Sequence, residues 1–105
     1  MDLTSLRQEY NCKGLVKEEL SSDPFHQFEK WFEEYVQTSL PEPNAMVLAT
    51  VSEAGEPSSR TVLLKYFDEQ GLVFFTNYGS KKAKQIEGNS NVALLFPWFL
   101  SLIHI

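Results

Sequence analysis

The chain has 105 residues, 43% of them apolar and 22% charged, with a formal net charge of −5; one small domain with a single core is expected, and the hydrophobicity argues against a disordered chain. No apolar run reaches the ~20 residues that a membrane helix needs, and Met1-Asp2-Leu3-Thr4 opens neither like a signal peptide nor like a transit peptide, so the cytoplasm is the expected compartment and no membrane partner is expected. The sequence pI of about 4.9 opposes a polyanion, which excludes nucleic acid as a partner.

Residues 1–22 read as an arm, in which "LTSLRQEY" can begin a short helix that Gly14 breaks. The single Cys12 has no partner for an internal disulfide and reads as structural. A helix is predicted over 23–40: Asp23 serves as N-cap, and Pro24 at the first helical position loses nothing by lacking an N–H. Phe25, Phe28, Trp31, Phe32, Tyr35, Val36 and Leu40 recur at helical spacing, with Gln27, Glu29, Lys30, Glu33 and Glu34 on the other side. Burial accounts for this aromatic stripe without a ligand.

After Pro41-Glu42-Pro43-Asn44, residues 45–98 change to extended patterning. Strands are predicted at "AMVLATV" (45–51), "SSRTVLLKYF" (58–67), "LVFFTN" (72–77) and "NVALLF" (91–96), with "SEAGEP" and "DEQG" as turns. "SKKAKQIEGN" reads as a helix with Gly88 or Asn89 at its end. The fold class is therefore α+β, mainly antiparallel β: a meander curled towards a barrel with helices outside. Residues 99–105 form an atypical tail.

The charge is unevenly spread. Residues 1–56 carry four basic side chains against eleven acidic ones, a net of −7, whereas residues 57–105 carry five (Arg60, Lys65, Lys81, Lys82, Lys84) against three, a net of +2. Lys81 and Lys82 follow Ser80 at a helix start, where the helix dipole repels cations. An anion held between them and the free amides, such as a phosphate, removes the conflict. For Lys84 a solubilising role is preferred. Arg60 and Lys65 lie an odd number of positions apart on one strand and point to opposite faces unless the strand bends, which suits an extended ligand or two phosphates. Neither paired carboxylates, nor metal-ligand spacing, nor a Ser-His-Asp arrangement is present, so hydrolytic and metal readings have no support and no catalytic side chain is assigned.

Taken in order, "LRQEY", "DPFHQFEKWF", "AMVLATVSEAGEPSSRTVLLKYFDEQGLVFFTN", "GSKKAKQIEGN" and "ALLFPW" resemble the pyridoxine (pyridoxamine) 5′-phosphate oxidases, which use FMN to make pyridoxal 5′-phosphate. The resemblance implies an FMN-binding split β-barrel working as a homodimer with FMN at the subunit interface. It implies FMN contacts from Arg60, Thr61, Val62, Leu63, Leu64 and Lys65, from Phe75 and Thr76, and from Ser80, Lys81 and Lys82. Arg60 and the helix start would take the FMN phosphate, and Lys65 would be shared with the phosphate of the substrate, a B6 vitamer. Arg7, Gln8, Glu9 and Tyr10 match an arm that closes over that substrate. The implied reaction is hydride transfer from substrate C4′ to flavin N5, with O₂ as the final acceptor. Two other readings stay open: a non-catalytic FMN- or phosphate-binding split-barrel module, and a different flavin reductase on the same barrel.

Two departures from the family pattern bear on this. Lys81 stands where most members have Arg, exchanging a planar fork for a point charge, which implies weaker hold on the FMN phosphate. After Phe96-Pro97-Trp98 the family continues with a Glu-Arg-Gln segment, whereas this chain reads "FLSLIHI", with His104 in place of the glutamine. The sequence thus corresponds to the N-terminal half of a member and is expected to be a truncated form, with open strand edges and an uncovered apolar face that favour association. Poor FMN binding and negligible turnover are expected of it alone.

Overall fold

The computed structural model describes residues 1–6 and 16–98. The calls on Arg7, Gln8, Glu9, Tyr10, Cys12, Gly14, His104 and the tail lie outside the described residues. Ahead of the first long helix there is a 3-10 turn, Lys17–Glu19. Near the start, Asp2 accepts hydrogen bonds from the Thr4 amide (2.9 Å) and hydroxyl (2.8 Å), which hold its carboxyl below the usual aspartate range.

Helix α1 spans Pro24–Gln37. Asp23 caps it as expected, its Oδ1 accepting from Phe25 N at 3.0 Å. The helix stops three residues short of the predicted 40. Thr38 folds back onto the Tyr35 carbonyl through both its amide (3.1 Å) and its hydroxyl (2.6 Å), and Ser39 follows with φ of 58°. The predicted stripe is only partly buried. Phe28, Phe32 and Tyr35 face inward, whereas Trp31 and Val36 are 39% and 48% exposed. Gln27, expected on the polar side, is buried, and its Oε1 accepts from Ser21 N at 2.7 Å. The inward face is thus narrower than the apolar residues alone suggest, and one of its members is a hydrogen-bonded amide.

Strands β1 (Ala45–Val51), β2 (Pro57–Asp68), β3 (Gly71–Phe74) and β4 (Ala93–Leu95) form one antiparallel sheet in the order β3-β2-β1-β4. The first three are the expected meander. The fourth does not extend it: β4 crosses back to pair with β1, Val47 opposite Leu95, so the sheet stays open with β3 and β4 at its edges. In the β1–β2 turn, Ser52 N donates to Glu56 O (2.9 Å) and Gly55 sits at φ 85°, a left-handed conformation that glycine adopts freely. Asn44 extends the pairing beyond β1 by exchanging hydrogen bonds with Leu64.

The core lies on one face of this sheet. Along β1, Met46, Leu48 and Thr50 are buried and alternate with half-covered residues, as the two-residue period of a strand requires. Helix α2, Lys81–Gly88, packs on β1, and Ala83 is its buried residue. At the other end an aromatic cluster joins α1 to the sheet. Phe28 lies 5.0 Å from both Phe67 and Phe96, and Tyr35 stacks on Trp98 at 5.2 Å, whose indole donates to the Pro43 carbonyl at 2.9 Å. Leu63, Leu94 and Leu95 remain 40%, 39% and 54% exposed, so apolar surface is open on the sheet.

Candidate functional site

Arg60 occupies the inward phase of β2, opposite Leu48. Its guanidinium is half-buried and leans across to β1, where Nη1 donates to the Leu48 carbonyl (3.2 Å) and to Thr50 Oγ1 (2.7 Å). Both acceptors are neutral. Among the described residues no carboxylate pairs with Arg60, and Nε and Nη2 make no hydrogen bond to the protein. An arginine has five donors in a rigid fork. This one is fixed by a single nitrogen, with its charge uncompensated.

The Thr50 hydroxyl passes the connection on by donating to Gln85 Oε1 of α2, and Gln85 Nε2 donates to Ser58 Oγ at 3.3 Å. Arg60 is therefore tied to α2 through two intervening side chains. Gln85 lies one turn after Lys81 and Lys82, on the side of α2 that meets β1.

The start of α2 is built by short polar contacts. Asn77 makes a turn, its Oδ1 accepting from Gly79 N (2.8 Å) and its carbonyl from Ser80 N (2.9 Å). Ser80 then caps the helix, accepting from Ala83 N at 3.3 Å, and its hydroxyl lies 3.4 Å from that of Thr76. The two lysines that follow are not equivalent. Lys82 is half-buried. Lys81 is exposed and, with Lys84, lines an open hollow against the β1–β2 turn that also holds Glu53 and Glu56. That hollow balances two cations with two carboxylates and does not include Arg60. The connection seen between Arg60 and the helix that carries Lys81 and Lys82 runs through Thr50 and Gln85.

Arg60 and Lys65 point to opposite faces of β2, as their odd spacing implies. Pairing of β2 with β3 shifts by one residue between Leu64 and Tyr66, so Lys65 sits at a β-bulge. Before it the even positions, Arg60, Val62 and Leu64, face inward; after it Phe67 does. Lys65 itself is exposed, as are Thr61 and the 40% accessible Leu63. Strand β3 ends at Phe74, short of the predicted 77, leaving Phe75, 75% exposed, and the half-buried Thr76 in the loop that leads to Ser80.

Sequence reading missed Thr50, Gln85 and Ser58. The available signal was Thr50 itself, a hydroxyl in the same phase as Met46 and Leu48, since a polar group buried on an apolar face must find a partner. Among the described residues no group of three or more His, Cys, Asp or Glu could hold a metal, and no helix is long and apolar enough to cross a membrane.

Comparison with known proteins places this geometry in a family. The family model described as pyridoxamine 5′-phosphate oxidase matches residues 32–105. Pyridoxine/pyridoxamine 5′-phosphate oxidases of Crocosphaera subtropica and Rippkaea orientalis are 64% and 63% identical over 98 residues, covering 93% of this chain and 46% of those proteins. The chain therefore spans about half the length of these curated relatives. Among solved structures, PhzG from Burkholderia lata, in complex with tetrahydrophenazine-1-carboxylic acid, is similar with a TM-score of 0.75 at 26% identity, over 80% of this chain and 43% of that one. A pyridoxamine 5′-phosphate oxidase-related, FMN-binding protein from Nostoc punctiforme follows with a TM-score of 0.59 at 29% identity, over 74% and 42%. On the sequence match and the shared open antiparallel sheet, the chain belongs to the pyridoxamine 5′-phosphate oxidase family.

Proposed function

We propose that this chain carries the FMN-phosphate half of an oxidase that converts pyridoxine 5′-phosphate or pyridoxamine 5′-phosphate to pyridoxal 5′-phosphate, with O₂ as acceptor. The observation that carries it is the state of Arg60: a half-buried guanidinium, held by Nη1 alone on neutral oxygens and connected through Thr50 and Gln85 to the helix that begins Ser80-Lys81-Lys82. A cation so placed, with donors unengaged by the protein, suits a phosphate dianion, and the free amides at the start of α2 add to it. The donor set fits FMN in this respect.

In this reading Arg60, Ser80, Lys81 and Lys82 bind the cofactor phosphate. The extended segment from Thr61 to Leu64, with Phe75 and Thr76, lies along the flavin. Lys65, on the outward phase of β2, reaches a second phosphate on the substrate, and Arg7, Gln8, Glu9 and Tyr10 close over it. The bound flavin would supply the hydride-accepting ring and its reoxidation by O₂. The protein's own contribution is to hold two phosphates so that the rings between them meet in one geometry. The exposed Leu63, Leu94 and Leu95 support pairing with a second copy across the open sheet.

Titration with FMN and with riboflavin, which lacks the phosphate, tests this reading. FMN is expected to bind about tenfold more tightly or better, corresponding to at least one charge-assisted hydrogen bond, and Arg60→Ala is expected to remove that preference. Equal affinities, or no binding of either flavin, would overturn it. A flavin-binding module without turnover is the second reading, consistent with the chain spanning about half the length of its relatives and with an FMN-binding protein among its structural neighbours; hydrogen peroxide release on adding pyridoxamine 5′-phosphate would decide for the oxidase.

A further inference from the structure

Thr50 is 2% exposed, and its hydroxyl has only one arrangement that satisfies its neighbours. Arg60 can only donate, so the 2.7 Å contact makes Thr50 Oγ1 an acceptor there. The single Thr50 proton then goes to Gln85 Oε1, which turns the amide Nε2 towards Ser58 Oγ. No buried side-chain nitrogen or oxygen among the described residues is left without a partner. The network therefore runs in one direction, from the strand cation through a buried hydroxyl to the helix that carries Lys81 and Lys82.

Two features show that this fixes geometry as well as satisfying polar atoms. Arg60 Nη1 holds both the carbonyl of its direct cross-strand partner, Leu48, and, at the shorter distance, the hydroxyl of Thr50 two positions along the same face, so that hydroxyl is the side chain that sets the guanidinium orientation. Gln85 is bonded to both strands, to Thr50 of β1 and Ser58 of β2, so the same amide sets where α2 sits over the sheet. We infer that Thr50 and Gln85 are positioning residues, holding the Arg60 guanidinium and the start of α2 at the separation at which one phosphate can be gripped from both sides. The inference rests on the phosphate reading above, and neither residue touches the ligand.

The test compares FMN and riboflavin affinities of the chain and its Thr50→Val, Thr50→Ser, Gln85→Leu and Arg60→Ala variants, with circular dichroism and melting checked for each. Thr50→Val keeps the shape and removes the hydroxyl; it is expected to weaken FMN about tenfold and leave riboflavin unchanged. Thr50→Ser should recover most of that loss. Gln85→Leu, at a separate position, should reproduce it; in an Arg60→Ala background Thr50→Val should weaken FMN no further, whereas Gln85→Leu, which also loosens α2, should still do so. A purely structural role would instead lower both flavin affinities together. If Arg60→Ala abolishes the FMN preference while Thr50→Val and Gln85→Leu leave it intact, the positioning role is overturned and the phosphate reading survives. If Arg60→Ala itself leaves the preference unchanged, or no preference exists, both fall.

Discussion

Phe28 of α1 meets Phe67 of β2 edge to face, with ring centroids 5.0 Å apart and planes at 85°, and the same Phe28 ring also contacts Phe32, Phe96 and Trp98. This puts Phe28 at the centre of the aromatic cluster that joins helix and sheet, with Phe32 and Tyr35 beside it. Phe28→Ala is expected to cost about 3–5 kcal/mol, by loss of transfer energy and creation of a cavity. Trp31, three residues on but 39% exposed, should cost less than half as much when cut to alanine. Urea denaturation of the two variants checks the order; equal losses would mean that the cluster does not anchor α1.

Two glycines separate backbone strain from crowding. Gly71 has φ of 146° with nothing within 4 Å of where a Cβ would stand, so Gly71→Ala is expected to cost about 1–3 kcal/mol through conformation alone. A Cβ at Gly88 would meet the Glu53 side chain at 2.7 Å. Glu53 is exposed and free to swing aside, so Gly88→Ala should stay within about 1 kcal/mol of wild type. Thermal unfolding of both variants decides the matter.

Gln27 tests whether the buried amide of α1 is structural. Its Oε1 accepts from the Ser21 amide at 2.7 Å, holding the segment before the helix against its first turn. Gln27→Leu should leave that N–H unpaired and cost about 1–3 kcal/mol, with amide exchange at Ser21 accelerated. Unchanged exchange at Ser21 would show that the bond does not restrain this segment.

The exchange of arginine for lysine at the helix start also has a measurable consequence under the proposed function. Lys81→Arg should tighten FMN a few-fold by restoring a two-pronged donor, with riboflavin unaffected. Lys84→Ala, which removes a cation facing Glu53 and Glu56, should leave FMN binding near wild type. FMN weakened by Lys84→Ala but unmoved by Lys81→Arg would put the anion elsewhere than at the helix start.

The legible parts of the fold were those with strong local chemistry. Asp23-Pro24 announced α1, Ser80 announced α2, and the alternation in "AMVLATV" marked β1, because caps and strand phase are written within a few residues. What remained hidden depended on distant partners. Gln27 looked like a solvent residue until Ser21 satisfied it, and Thr50 looked like ordinary strand filling until Arg60 and Gln85 met at it. The crossing of β4 back to β1 had no local signal either, since nothing near residue 93 specifies which sheet edge it joins. For the candidate site, the proposed residues at 60, 65 and 80–82 come from the sequence, whereas the linkage of Arg60 to α2 through a buried hydroxyl had no local signal.

The inserted residue at Lys65 makes β2 answerable to two neighbours at once. Upstream of it the strand serves the polar contacts of α2 through Ser58 and Arg60; downstream it serves the aromatic packing of α1 through Phe67. Shortening the stretch between Arg60 and Phe67 by one residue would turn one of those ends outward. Changes of length are therefore tolerable at either terminus of this ribbon but not along its middle, where a lost residue would cost the molecule either its anchor or its cation.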